Sequence, residues 1–148
     1  MLNKILIGLI IALFYSSCAS YKEVKTINVL LKSDELKFKG QGFLSYKSGK
    51  TKLDLYTLGK WINSIKIGKK ICFDNKCYQK STFNKHIFGS VYYDDLLKDI
   101  LNCKPIFSKK NYKKMENGFI QQIKDINYLA NDNYCDFNSN KIRIKISK

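Results

Sequence analysis

The sequence is poor in several residue types that carry chemistry or set backbone direction. Among 148 residues there is one histidine, His86, one arginine, Arg143, one tryptophan, Trp61, and one proline, Pro105. A single imidazole excludes a histidine-rich metal site, and any Ser-His-Asp arrangement would have to be built around His86 alone. No Gly-x-Ser-x-Gly elbow and no nucleotide-binding glycine loop occurs. Acids are scarce as well, 12 against 27 bases. Asp54, Asp74, Asp94, Asp95, Asp99, Glu116 and Asp125 are placed as turn, cap or solvated-face residues, and no paired-carboxylate motif emerges. The expectation is a protein that is not an enzyme and carries no metal or other cofactor. Its net charge of +15 invites a nucleic-acid reading. Lys, Asn and Ile are all in excess, however, as AT-rich coding alone produces, so the charge is weak evidence of a partner.

What is present begins with an address. Residues 1–20, MLNKILIGLIIALFYSSCAS, carry Lys4, then an apolar run from Ile5 to Tyr15, then Ser16 and Ser17 before Cys18. The run is too short for a spanning helix, which needs ~20 apolar residues, and none follows downstream. It reads as an export signal. A cysteine directly after two small residues resembles the lipobox of bacterial lipoproteins, although Tyr15 replaces the usual Leu. That resemblance implies cleavage before Cys18 and a covalent lipid on its thiol, the only non-protein group expected. Each buried methylene is worth ~0.8 kcal/mol, so two or three acyl chains anchor stably. Ala19 and Ser20 differ from the Asp that retains lipoproteins at the inner membrane, which by analogy implies the outer membrane, facing the periplasm. Export sets nucleic acid aside. The organisation expected is a signal peptide over 1–17, a lipidated N-terminus and tether over 18–33, and one antiparallel sheet domain over 34–148.

With Cys18 assigned to lipid, Cys72, Cys77, Cys103 and Cys135 remain, an even number in an oxidising compartment. Ile71 to Tyr78 reads as a hairpin turning at Asp74-Asn75, two residue types that tolerate positive φ. A two-residue turn places Cys72 opposite Cys77 in a non-hydrogen-bonded pair, close enough for a disulfide. The remaining pair is then Cys103 with Cys135. The spacings contain no C-x₂-C knuckle for zinc and no C-x-x-C redox motif.

Along the chain, Thr26 to Leu31 has strand character, and from Leu36 the period is two. Leu36, Phe38, Leu44 and Tyr46 share one face, and Gly40 and Gly42 on that face leave room for a bend. Lys52 to Leu58 and Trp61 to Ile67 follow, with Leu53 and Leu55, then Ile65 and Ile67, pointing one way. These strands and the Cys72 hairpin form an antiparallel meander. Tyr92, Tyr93, Leu96, Leu97, Ile100 and Leu101 predict a short amphipathic helix from Tyr92, capped by Ser90 and closed before Pro105. Ser108 to Lys114 reads as a solvated lysine-rich loop, with contact to anionic headgroups as the competing reading. Gly118 to Leu129 predicts a hairpin, and Lys141 to Ile146 a last strand. The fold class expected is α+β: a curved antiparallel sheet or incomplete β-barrel with one or two short helices on its concave side.

This order of elements resembles the LolB lipoprotein-insertion factors and, more distantly, the LolA carriers. The resemblance rests on Phe38-Lys39-Gly40-Gln41-Gly42-Phe43 as the first strand and Leu58-Gly59 as the family's Pro-Leu-Gly corner, with Thr57 in place of the proline. Leu96-Leu97 with Pro105, Ile126-Asn127-Tyr128 and Lys141 to Ile146 supply the rest. The aromatic strand pair before the corner is missing or compressed into Ser45 to Thr51, so the family's protruding apolar loop has no assigned residue. The resemblance implies an apolar concavity that takes acyl chains of lipidated proteins, received from a periplasmic carrier. The residues to line it are Phe38, Leu44, Leu53, Leu55, Ile65 and Ile67. The competing expectation is a structural or assembly lipoprotein that binds another envelope protein through its outer face.

Overall fold

A computed structural model describes residues 23–148. The segment expected as a signal peptide and the expected lipidation site, Cys18, lie outside the described residues. The chain forms strands β1 (Glu23–Ser33), β2 (Lys37–Lys47), β3 (Lys50–Thr57), β4 (Lys60–Ile67), β5 (Ile71–Phe73) and β6 (Lys76–Tyr78). Helices α1 (Lys80–Phe88) and α2 (Leu96–Leu101) and a 3₁₀ turn (Phe107–Lys109) come next. Strands β7 (Tyr112–Met115), β8 (Gly118–Ile123), β9 (Ile126–Asn131), β10 (Tyr134–Asn138) and β11 (Ile142–Ser147) complete it.

All eleven strands belong to one antiparallel sheet in the order β6-β5-β4-β3-β2-β1-β11-β10-β9-β8-β7. The sheet is open, with β6 and β7 as its edges. Strand accounts for 56% and helix for 14% of the described residues, so the α+β expectation is corrected: the protein is mainly β. The difference comes from segments with weak apolar signal. Tyr112–Met115, expected as loop, pairs with β8 as an edge strand, and its lysines discourage further edge pairing. Tyr134–Asn138, which the sequence reading leaves unassigned, pairs with both β9 and β11. The expected helix is shorter, starting at Leu96. The strand anticipated at Thr26 to Leu31 runs from Glu23 to Ser33 and sits mid-sheet, so the sheet takes in most of the segment assigned to the tether.

Period-two alternation puts Ile27, Val29 and Leu31 of β1, Leu44 of β2, Leu53 and Leu55 of β3, Ile65 and Ile67 of β4, and Ile142, Ile144 and Ile146 of β11 on one face. These join Phe83, Ile87 and Phe88 of α1 and Leu96, Leu97, Ile100 and Leu101 of α2 in one core. Full burial of each such side chain contributes about 1.5–3 kcal/mol. The chain between the two edge strands, residues 79–111, therefore lies across the inner face of the sheet.

Two disulfides hold this arrangement, Cys72–Cys77 and Cys103–Cys135. Cys72 faces Cys77 and Phe73 faces Lys76 around a turn in which Asp74 and Asn75 both take positive φ, the register read from the sequence. The second bridge spans 32 positions and ties the chain just after α2 to buried Cys135 near the start of β10. Chain-entropy arithmetic assigns about 4 kcal/mol to the longer loop and about 2 kcal/mol to the shorter. Urea denaturation should thus show Cys103→Ala/Cys135→Ala losing roughly twice the stability lost by Cys72→Ala/Cys77→Ala. Equal losses would contradict a role for the longer bridge in fixing the crossover.

Candidate functional site

The six residues expected to line an apolar concavity come together on the inner face of β2 to β4. Leu44, Leu53 and Ile65 stand opposite one another in a row across three strands. Leu44, Leu53, Leu55, Ile65 and Ile67 are buried, and Phe38, opposite Leu31 near the start of β2, is half-buried. The space above the glycines is occupied. A Cβ on Gly42 would meet side chains of Leu53 and Val29, each at 2.8 Å. One on Gly40 would fall 2.8 Å from the Phe38 ring and closer still to the Tyr56 carbonyl. The glycines thus admit neighbouring side chains and let β3 approach. None of five surface clefts of 290–740 Å³ is lined by any of the six residues.

The layer covering this face is held unevenly. Around α2, Tyr46 Oη donates to Asn102 Oδ1 at 2.5 Å, and the Cys103 bridge follows directly. Gln121, fully buried in β8, accepts from Ile106 N at 2.8 Å and donates to the carbonyls of Ile106 and Lys110. Tyr93 Oη donates to Asp99 Oδ2 at 2.9 Å. Burial first, then the hydrogen bond to Asp99, pushes the Tyr93 phenol far above its ordinary range. Burial, then the Asp99 charge, does the same to Tyr128. Both therefore stay neutral near pH 7. Neither helix has a side-chain bond at its N-cap, but α1, with nine residues and no acid in its first turn, also lacks the disulfide that follows α2. A helix this short depends on packing for its existence. Lys80 Nζ donates to Asp95 Oδ1 at 2.7 Å, which draws the Asp95 carboxyl below its usual range. This tie is complete at neutral pH and fades as the pH falls through that lowered range. Buried Asn84 donates to the carbonyls of Tyr92 and Tyr93.

Clefts flank α1 on both sides. One of about 290 Å³ lies against β5 and β6, lined by Leu36, Phe73, Tyr78, Phe83 and Ile87 among others. The other, about 650 Å³, is more polar and includes Asp34, Glu35, Lys85, His86 and Lys141. His86 Nδ1 stands 4.0 Å from Glu35 Oε1, both side chains exposed.

A second feature lies at the β3–β4 turn. Three two-residue hairpins place both turn residues at positive φ: Ser48-Gly49, Leu58-Gly59 and Asp74-Asn75. Ser, Asp and Asn are ordinary there, whereas leucine has no side-chain hydrogen bond to offset the left-handed backbone. Leu58 is also 98% exposed. Beside it a bulge in β4 inserts Ile62 between the partners of Leu55 and Tyr56, and Trp61 and Ile62 remain 57% and 52% exposed. The apolar tip is thus unfavourable both for the backbone and for solvation, which points to a role outside the fold. Sequence reading missed it because the bulge breaks the alternation of β4. Leu-Gly in a two-residue turn was the available signal.

The four cysteines are engaged as two disulfides, and among the described residues no group of three or more His, Cys, Asp or Glu side chains could hold a metal ion. No described helix is long and apolar enough to cross a membrane. No protein-family model matches the chain, and no curated protein is significantly similar to it in sequence.

The buried polar groups generate a paired prediction. The Tyr128 hydroxyl is buried without a hydrogen-bond partner among the described residues, so Tyr128→Phe should leave stability unchanged or raise it by up to ~1 kcal/mol. Gln121→Leu strands three backbone groups and should cost about 2–3 kcal/mol. Both are read by urea denaturation, and the reverse order would contradict the assigned hydrogen bonds.

Proposed function

We propose that the protein is a lipid-anchored component of the outer membrane, facing the periplasm, that takes up acyl chains of lipidated proteins and passes them to the bilayer, a role similar to that of LolB. The observation that carries this reading is the exposed Leu58, Trp61 and Ile62 on a hairpin whose backbone favours polar residues. Leucine and tryptophan side chains of this kind gain by entering the acyl and headgroup layers of a membrane. A lipid on Cys18 would keep the tip beside that membrane.

Cargo entry follows from the uneven hold on the covering layer. The cleft between α1 and the β5–β6 hairpin has an apolar wall of Leu36, Phe73, Phe83 and Ile87 with Glu35, Asp74, Lys76 and His86 around it, and α1, unlike α2, has no disulfide beside it. This cleft and the tip share one end of the sheet, where Asn63 of β4 approaches Asp74 of the β5–β6 turn at 3.5 Å. An acyl chain displaces α1 and exchanges contacts with Phe83 and Ile87 for contacts with its own methylenes. No covalent step is involved.

The packed inner face favours a second reading, in which the interior stays closed and the protein binds another envelope protein through its outer face. Transfer from a loaded carrier separates the two. Full-length lipidated protein in vesicles should accept a lipoprotein from its carrier, and Leu58→Asp should accept equally but deliver about thirtyfold less to the bilayer, since an unburied leucine forfeits ~2 kcal/mol. Absence of any transfer, with circular dichroism and both disulfides intact, would leave only the second reading.

A further inference from the structure

The outer face of β2, β1 and β11 carries an arrangement that antiparallel pairing disfavours. Lys32 of β1 stands directly opposite Lys37 on one side and Arg143 on the other. In the next row on this face, Leu30 stands between Lys39 and Lys145. Side chains directly opposite in neighbouring strands approach to ~5 Å, and like charges there destabilise the pair. Relief is slight. Asp136 of β10 takes Arg143 through two hydrogen bonds, at 2.6 and 3.0 Å, and Lys145 lies 4.8 Å from the Tyr134 ring centre. Lys32, Lys37 and Lys39 have no carboxylate partner among the described residues. Asp34 and Glu35 of the β1–β2 turn line the cleft that also includes Lys85, His86 and Lys141.

Position gives the charges a meaning. A cleft of about 740 Å³ on this face is lined by Lys39, Lys145 and Gln41 together with Tyr56, Leu58 and Gly59 of the tip. Cations and apolar tip thus form one continuous surface, with Lys39 and Lys145 in the rows beside Leu58 and with Lys32, Lys37 and Arg143 one row further toward the same end, so that basic and apolar groups meet a leaflet together. We infer that this face is a seat for the phosphate headgroups of the membrane into which the tip dips, fixing the depth and tilt of the protein on an anionic leaflet. The inference rests on the proposed entry of the tip into the bilayer. Each lysine near an anionic surface adds to the attraction, which salt screens.

Trp61, the only tryptophan, reports tip insertion without labelling. The full-length lipidated protein is reconstituted in phosphatidylcholine vesicles with or without phosphatidylglycerol, and Trp61 quenching by lipids brominated in their acyl chains is measured. Quenching should be stronger on the anionic vesicles, and molar salt should abolish the difference. Lys39→Glu/Lys145→Glu should lower the inserted-to-free ratio on anionic vesicles by at least about thirtyfold, the loss of two lysines alone. The equal charge change Lys113→Glu/Lys114→Glu, on β7, should not. Lys32→Thr should raise resistance to urea by relieving the crowded charges while weakening the anionic response, a pairing that a purely structural lysine would not give. Unchanged quenching in the Lys39/Lys145 variant, or an equal loss in the β7 variant, overturns the inference and leaves the tip reading standing. An unchanged lipid response with lost acceptance from the carrier assigns the face to an acidic protein and also overturns it. No quenching on any vesicle, even neutral ones, removes the tip reading and this inference together.

Discussion

One constraint governs the molecule: an open sheet of eleven strands has a single apolar face, and that face must be kept dry by the chain that joins its two edges. Because β6 and β7 lie at opposite ends of the strand order, residues 79–111 cross the whole inner face between them. Their apolar side chains merge with those of both halves of the sheet into one core. A closed barrel would need no such crossover, and a flat sheet would expose more apolar surface than two short helices cover. The fold is therefore only as rigid as the attachment of this layer.

That attachment is graded along the chain. α2 is held covalently through Cys103 and polar-bonded through Asn102, and the segment after it is clamped by Gln121. α1 has packing, the Lys80–Asp95 ion pair and the Asn84 contacts. Regions of low local stability are where ligand-gated movement is drawn from. A packed interior and an acyl-binding function are thus compatible, provided the weaker helix moves and the stapled one does not.

Much of this was legible in the residues, for identifiable reasons. The Cys72–Cys77 register followed from turn chemistry, because Asp74 and Asn75 accept a backbone that few other residues do. The inner face of β3 and β4 followed from strict alternation of Leu53, Leu55, Ile65 and Ile67. Helix α1 did not announce itself: its apolar residues number three, Phe83, Ile87 and Phe88, and it lacks a capping side chain. The spacing of Phe83 and Ile87 before Gly89, which takes a left-handed φ of 77°, was the signal to weigh. Tyr92 and Tyr93 carry helical spacing with Leu96, yet their rings pack on Phe107 from a non-helical segment. Tertiary contact there overrides local periodicity. The cross-strand crowding of Lys32 was invisible because pairing partners lie far apart in sequence.

The central claim is that the interior opens by movement of α1 when acyl chains enter. Hydrogen exchange of the full-length lipidated protein, with and without a diacylated lipopeptide, tests it most directly. The account predicts faster exchange in Lys80–Phe88 on loading, with the amides of β1 and β11 unchanged. Bound lipopeptide with unaltered protection of α1, or no binding at all, would contradict it.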